Sequence, residues 1–195
     1  MKHKSVKWLA TGIALSALLF AIAGAVLAAN YVQVVNFSGY AEGTEAEAIH
    51  EHWVTFDVLE GIVRVAADIG FLRLNYEYDY NPSTLMINLD HEATAISFDY
   101  MTYGNCYYPV NLVELYSHGS LVASTVIDTC TTGTFSASGT FDAVKLVAGR
   151  VTNAEAMDIN NIALTFNITK EDCKNGGWEA LGYLNQGQCV SDTNH

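Results

Sequence analysis

From Thr94 to Tyr103 the chain reads Thr-Ala-Ile-Ser-Phe-Asp-Tyr-Met-Thr-Tyr, so Ile96, Phe98 and Tyr100 alternate with Ser97, Asp99 and Met101. A period of two sends successive side chains to opposite faces of an extended strand, one face buried and the other wet. An amphipathic helix would need apolar residues at a 3.6 spacing, and no long run of the body has it. The alternation recurs in Val54, Phe56 and Val58, in Leu72, Leu74, Tyr76 and Tyr78, in Leu85, Ile87 and Leu89, and in Ile162, Leu164 and Phe166. Between these runs lie turn residues: Glu60-Gly61, Asn81-Pro82-Ser83, Asp90-His91-Glu92 and Ser117-His118-Gly119-Ser120. About ten short strands at 8–12-residue spacing, with no helix between them, predict an all-β protein, an antiparallel β-sandwich or jelly roll. Residues 133–139, rich in Ser, Thr and Gly, read as a link between two of these strands.

The first 29 residues differ in kind. Lys2, Lys4 and Lys7 precede an uncharged, mostly apolar run from Trp8 to Leu27 that closes on Ala28 and Ala29. This is the pattern of a secretory signal peptide cut after Ala28 or Ala29. An uncleaved anchor is the competing reading, because about 20 apolar residues can span a bilayer. The expected division is a signal peptide at 1–29, a β-sandwich domain at 30–167 and a stapled tail at 168–195. Without the three leader lysines, six basic residues face 21 acidic ones, a net charge of −15. So acidic a surface repels phosphate backbones and argues against a nucleic-acid partner.

Four cysteines in an exported chain read as two disulfides. Cys106 and Cys130 flank the hairpin expected over 110–127, and Cys173 and Cys189 bracket the tail, so local pairing is expected. Thr169-Lys-Glu-Asp172 has the form of a capping box, which predicts a short helix from Lys170 and a second one-turn helix carrying Cys189. The tail is then a disulfide-stapled helical hairpin. No Cys-x-x-Cys spacing supports zinc.

Several stretches resemble bacterial secreted jelly-roll domains of the lectin-like and carbohydrate-module-like kind. They are Asn36-Phe-Ser-Gly-Tyr-Ala-Glu-Gly-Thr44, Ala95-Ile-Ser-Phe-Asp-Tyr100, Val113-Glu-Leu-Tyr116, Gly139-Thr-Phe-Asp-Ala-Val144 and Asp158-Ile-Asn-Asn-Ile162. The tail from Cys173 to Val190 resembles a short C-terminal element of bacterial secreted proteins. The resemblance implies a β-sandwich and leaves the role open.

Two sites are expected from the residues. Glu42, Glu45, Asp158 and Asn160 are oxygen ligands at the two ends of the body, where a structural Ca²⁺ could join the first and last strands; turn capping by the same side chains is the alternative. Tyr103, Asn105, Tyr107 and Tyr108 surround Cys106 in one loop, and exposed rings beside amides suit a sugar face. The alternative is a loop whose rings cover the sandwich edge. His50-Glu51-His52 could set two imidazoles on one side of a strand, but two ligands without a third make a poor metal site. The acids are scattered and no nucleophile elbow is present, so no catalytic constellation is found. The expectation is a secreted or cell-surface, non-catalytic binding module whose partner is an extracellular glycan or another cell-surface component, with no membrane contact after cleavage and an open oligomeric state. A structural envelope or matrix protein and an exported hydrolase are the rivals.

Overall fold

The structure, a computed structural model, describes residues 29–67, 69–75, 82–104, 111–149 and 156–193. Among the described residues nine antiparallel strands make up the body: β1 (Ala29–Val35), β2 (Val54–Glu60), β3 (Val63–Ala66), β4 (Phe71–Leu74), β5 (Ser83–Thr102), β6 (Asn111–Ser117), β7 (Ser120–Ile127), β8 (Thr132–Ala148) and β9 (Met157–Ile168). Hydrogen bonds follow the order β3-β4-β9-β5-β8-β6-β7, with β1 added to β9 and β2 to β5. The two longest strands carry this ladder through both halves of a sandwich. The first half of β5 pairs with β2 and with the last third of β8, which pairs onward to β6 and β7. The second half of β5 pairs with β9 and the first part of β8. One layer is therefore β3-β4-β9-β5-β8 with β1 on β9, and the other is β2-β5-β8-β6-β7.

The bend is where the sequence reading needs correction. Asp90-His91-Glu92, expected as a turn, lies inside β5, and residues 133–139, expected as a link, lie inside β8. Two expected strands merge into β5, which is why nine are found. The pairing register of β5 shifts between Asn88 and Ala95, so the strand bends through irregular pairing and continues. Polar residues at the bend face water at the sandwich corner, where Asp90 N–H still donates to the Trp53 carbonyl at 3.0 Å.

Alternate side chains from both layers fill the interior. Leu85, Ile87, Ile96 and Phe98 of β5 meet Val113 and Leu115 of β6, Val144 and Leu146 of β8, and Ile159, Ile162, Leu164 and Phe166 of β9, all buried. Phe37, just past β1, packs its ring edge-on to Phe56 of β2 at 6.1 Å, a contact between layers. Each such side chain contributes about 1.5–3 kcal/mol by leaving water. Tyr76, Tyr78 and Tyr80 lie outside the described residues, and β4 ends at Leu74.

The tail is a stapled hairpin, with its first helix displaced. Cys173 and Cys189 are bonded, and this 16-residue separation is worth about 3 kcal/mol in the chain-entropy account. The Asp172 carboxylate does accept from the backbone N–H and hydroxyl of Thr169, at 2.7 and 2.8 Å. It closes a turn there, and α1 begins only at Gly177, running to Ala180. Asn175 and Gly176 have φ of 54° and 89°, a left-handed pair that interrupts a right-handed helix. Gly177 approaches the Asp172 carbonyl so closely that no Cβ would fit. The second helix, α2 (Gln186–Asp192), carries Cys189 as expected and is capped by the Asn185 side chain, which accepts from Gln188 N–H at 2.9 Å. Cys130 is also disulfide-bonded; its expected partner Cys106 lies outside the described residues.

The hairpin docks on the sandwich through Ile168, Cys173, Leu181 and Cys189, with Tyr31 and Trp53 against them. Trp53 has a left-handed φ of 59°, a strained state for a bulky residue. Its ring is held by Tyr31 at 5.6 Å, Phe166 at 5.2 Å, His52 at 4.6 Å and His91 at 4.2 Å.

Candidate functional site

The outward face of the β2-β5-β8-β6-β7 layer is built in register. Asp57, Met86, Lys145, Glu114 and Ser124 stand opposite one another across five strands. A second row, Thr55, Asn88, Ala143, Tyr116 and Leu121, runs beside it, and Thr84, Val147, Leu112 and Val126 form a third. On β2, β5, β8 and β6 their neighbours along the strand point largely into the core, so the sheet's alternation brings these side chains together, while β7 is exposed along nearly all its length.

They line a groove. One part, of about 560 Å³, lies between Leu59 on β2 and Tyr116 on β6, with Met86, Asn88 and Lys145 on its floor. A second part, of about 330 Å³, shares Lys145 and continues past Glu114, Leu112 and Thr84. The β6–β7 turn closes one end: His118 and Gly119 have φ of 50° and 75°, the geometry of a tight two-residue hairpin. The Asp142 carboxylate accepts the His118 backbone N–H at 2.9 Å and fixes that turn.

The polar groups of the groove are ordered by one another. Glu114 Oε2 accepts from Lys145 Nζ at 3.1 Å and from Tyr116 O–H at 3.0 Å. Asn88 Nδ2 donates to Asp57 Oδ2 at 2.6 Å. Burial, then the hydrogen bond to Glu114 and its negative charge, raise the Tyr116 phenol above its ordinary value, and Lys145 opposes the shift. Tyr116 therefore stays a neutral donor across the physiological range. The result is an apolar strip of Leu59, Met86 and the Tyr116 ring edged by an amide, an ammonium and carboxylates.

The expected sites fall elsewhere. Tyr103 sits on the outer face of the opposite layer, its ring 5.6 Å from the Arg73 guanidinium and its hydroxyl donating to Met101 Sδ at 2.6 Å. Asn105, Tyr107 and Tyr108 lie outside the described residues. The four expected calcium ligands are spread over that same layer and each meets a protein donor. Arg73 grips Asp158 with two hydrogen bonds of 2.7 and 2.8 Å, Arg64 pairs with Glu45 at 3.0 Å, Glu42 accepts the Ala67 N–H at 2.5 Å, and Asn160 Oδ1 accepts the Asn161 N–H at 2.7 Å. Glu45, Arg64, Arg73 and Asp158 in fact occupy one transverse row, each the register partner of the next. Among the described residues no three His, Cys, Asp or Glu side chains gather as for a metal ion. His52 and His91 flank Trp53 instead, and burial, with His91 nearby, lowers the His52 imidazole below its ordinary value.

As site residues, Met86, Asn88, Asp57, Glu114, Lys145 and Tyr116 all escaped the sequence reading. Each is the polar or odd member of an alternating strand, and only the pairing order tells which odd members share a face.

No family model matches this chain, and no curated protein sequence does. Among solved structures it is similar to a carbohydrate-binding module of family 29 at 9% identity, with a TM-score of 0.43 over 69% of this chain and 88% of that one. A variant of a family 29 module complexed with cellulohexaose scores 0.43 at 11% identity over 69% and 92% of the two chains. A family 32 module from C. perfringens in complex with galactose scores 0.41 at 13% identity over 64% and 99%. At these identities and scores none of them carries a residue, a ligand or a role over to this chain.

Proposed function

We propose that this chain is a non-catalytic module of an exported protein that binds a carbohydrate along the groove between Leu59 and Tyr116. The registered outer face carries the reading: one aromatic ring and two aliphatic side chains are flanked by fixed hydrogen-bonding groups along a trough open at the surface. A sugar ring presents C–H patches and hydroxyls together, and a binding site for it needs an apolar surface with polar groups placed around it. The acids lining the trough fit binding better than catalysis. Glu114 is engaged by Lys145 and Tyr116, and Asp142 by the turn backbone, so neither is poised as a free acid or base. An acidic chain with disulfides suits an oxidising compartment outside the cytoplasm.

Affinity electrophoresis and calorimetry against a panel of soluble neutral polysaccharides test this. Tyr116→Ala is expected to weaken binding about tenfold or more, the scale of one lost ring contact with its hydrogen bond. Tyr107→Ala with Tyr108→Ala probes the loop expected from the sequence. Loss of binding there with Tyr116→Ala unaffected would move the site to the loop, and no binding to any polysaccharide would remove the reading.

A further inference from the structure

The two layers part on the side where β7 and the first part of β8 run. Among the described residues β7 pairs with β6 alone, and residues 132–138 of β8 pair with β5 alone. Register fixes which of their side chains point between the layers. On β7 these are Ala123, Thr125 and Ile127, opposite buried Leu115, Val113 and Asn111; on β8 they are Gly133, Phe135 and Ala137, opposite Tyr100, Phe98 and Ile96. Only Ile127 and Phe135 of these six are buried, and the small members leave the side open. The opening is a cavity of about 540 Å³ with Ile127, Phe135 and Tyr100 at its floor and Thr125, Asp128 and Thr132 at its rim.

Three polar groups here are held in place and unused. A Cβ on Gly133 would stand 3.0 Å from the Tyr100 hydroxyl oxygen, so the glycine lets the phenol lie across β8, and nothing among the described residues bonds that hydroxyl. The turn carrying Asp128 is fixed: the Thr102 and Thr131 hydroxyls donate to its carbonyl at 2.8 and 2.9 Å, and Thr131 N–H donates to the Thr102 hydroxyl at 3.0 Å. Yet the exposed Asp128 carboxylate has no hydrogen bond or ion pair among the described residues, whereas Glu114 and Asp142 of the groove are both engaged. Asn111, the register partner of Ile127, is fully buried with neither amide atom bonded among the described residues. A hydroxyl reaching past Ile127 would find a donor and an acceptor there.

We propose that this side cavity binds a single sugar unit, as at the end of a glycan chain, separately from the groove. A fixed carboxylate accepts from two neighbouring hydroxyls, the Tyr100 ring and Ile127 meet C–H groups, and the Thr125 and Thr132 hydroxyls both donate and accept. Other ligands fit worse. A metal ion would find one carboxylate where it needs several oxygens, an anion would be repelled by Asp128, and a wholly apolar molecule would leave the polar groups dry. The inference stands on these residues alone and does not require a chain in the groove.

Two-dimensional NMR of the purified chain, titrated to about 50 mM with the methyl glycosides of glucose, galactose, mannose and N-acetylglucosamine, tests this. At least one glycoside is expected to shift amides of residues 125–135 and to saturate. Asp128→Asn keeps the shape and the turn and is expected to weaken that binding about tenfold, the scale of a charge-assisted hydrogen bond. Thr125→Phe fills the mouth from an exposed position and is expected to abolish it. No shift of residues 125–135 with any of the glycosides overturns the proposal. So do shifts there that survive Asp128→Asn or Thr125→Phe, shifts confined to the groove, or a response to methylammonium in place of the glycosides.

Discussion

The two outward faces of the sandwich both carry charged rows in strand register, yet they use them differently. On the layer of β4 and β9, Arg73 holds Asp158 by two hydrogen bonds, the carboxylate is fully buried, and Tyr103 lies over the guanidinium. Beside them lies a patch of small side chains, Ala95, Ser97, Ser136, Ser138, Ala163 and Thr165, bordered on β1 by exposed Val32 and Val34. On the opposite face Lys145 and Glu114 are joined by one contact of 3.1 Å and remain partly exposed, at 29% and 16%, beside long side chains that wall a groove. Depth decides the role. A covered pair cannot meet a ligand and its loss strands a charge in the interior, whereas an open pair costs little to lose and can exchange its partner for a ligand.

Removing one member from each face should give the widest separation. Arg73→Met leaves the Asp158 carboxylate without its main counter-charge, at a cost of about 3–5 kcal/mol and a fall of about 10 °C in melting temperature. Lys145→Met is expected to stay within about 1 kcal/mol of the parent. Calorimetric melts of the two variants side by side measure this directly, and equal losses would break the contrast. Affinity should respond in the reverse order. Lys145→Met weakens polysaccharide binding several-fold, by loss of an ammonium donor worth about 1 kcal/mol, while Ser97→Ala and Ser136→Ala on the other face leave it unchanged in the same titration.

The alternation that betrayed the strands also explains how far the sequence could be read. Ile96, Phe98, Leu85 and Leu164 announce their burial because a strand sends every second residue inward, and that rule is local. Cys173 and Cys189 announce the hairpin because they bracket the tail at a short separation. Asp90 and Gly133 mislead because a polar or flexible residue marks a turn in most chains, whereas here β5 and β8 run on through a corner of the sandwich. The groove was not legible for a different reason. Asp57, Met86, Lys145 and Glu114 are separated by up to 88 residues and share a face only because β2, β5, β8 and β6 are neighbours in that order. The same holds for Arg73 and Asp158, 85 residues apart: neither neighbourhood signals an ion pair, so Asp158 reads as a free ligand.

Titration should separate the faces at opposite ends of the pH scale. On the small-residue face, hydrogen bonds from Asn161 and Thr134 hold the Asp99 carboxyl below its ordinary 3.8. The folded state then binds a proton less readily than the unfolded one. The stabilisation is complete above pH 3.8 and disappears as the pH falls through the lowered value. In the groove, burial and Glu114 raise the Tyr116 phenol above its ordinary 10.0, so its contribution is complete below pH 10 and disappears as the pH rises through the raised value. Melting temperature against pH should lose part of its acid slope in Asp99→Asn and part of its alkaline slope in Tyr116→Phe. Either variant acting on the wrong limb would show that the hydrogen bonds are not what tunes the group.

The smallest expected effect concerns calcium, and it tests whether the row from Glu45 to Asp158 is held by arginine or by metal. Glu45 and Asp158 are three strand spacings apart across Arg64 and Arg73, about 14 Å at about 4.8 Å per strand, far beyond the 2.3–2.6 Å at which Ca²⁺ gathers its oxygens. Arginine fits this row because its charge is permanent and its planar fork matches a carboxylate edge, as in the paired hydrogen bonds to Asp158. A chelator should therefore leave the melting temperature where it is, and added Ca²⁺ should not raise it. A fall of several degrees on chelation would mean that Glu42, Glu45, Asp158 and Asn160 reach a cation in place of these donors. The faces would then differ by what they bind, not by how deeply their charges are covered.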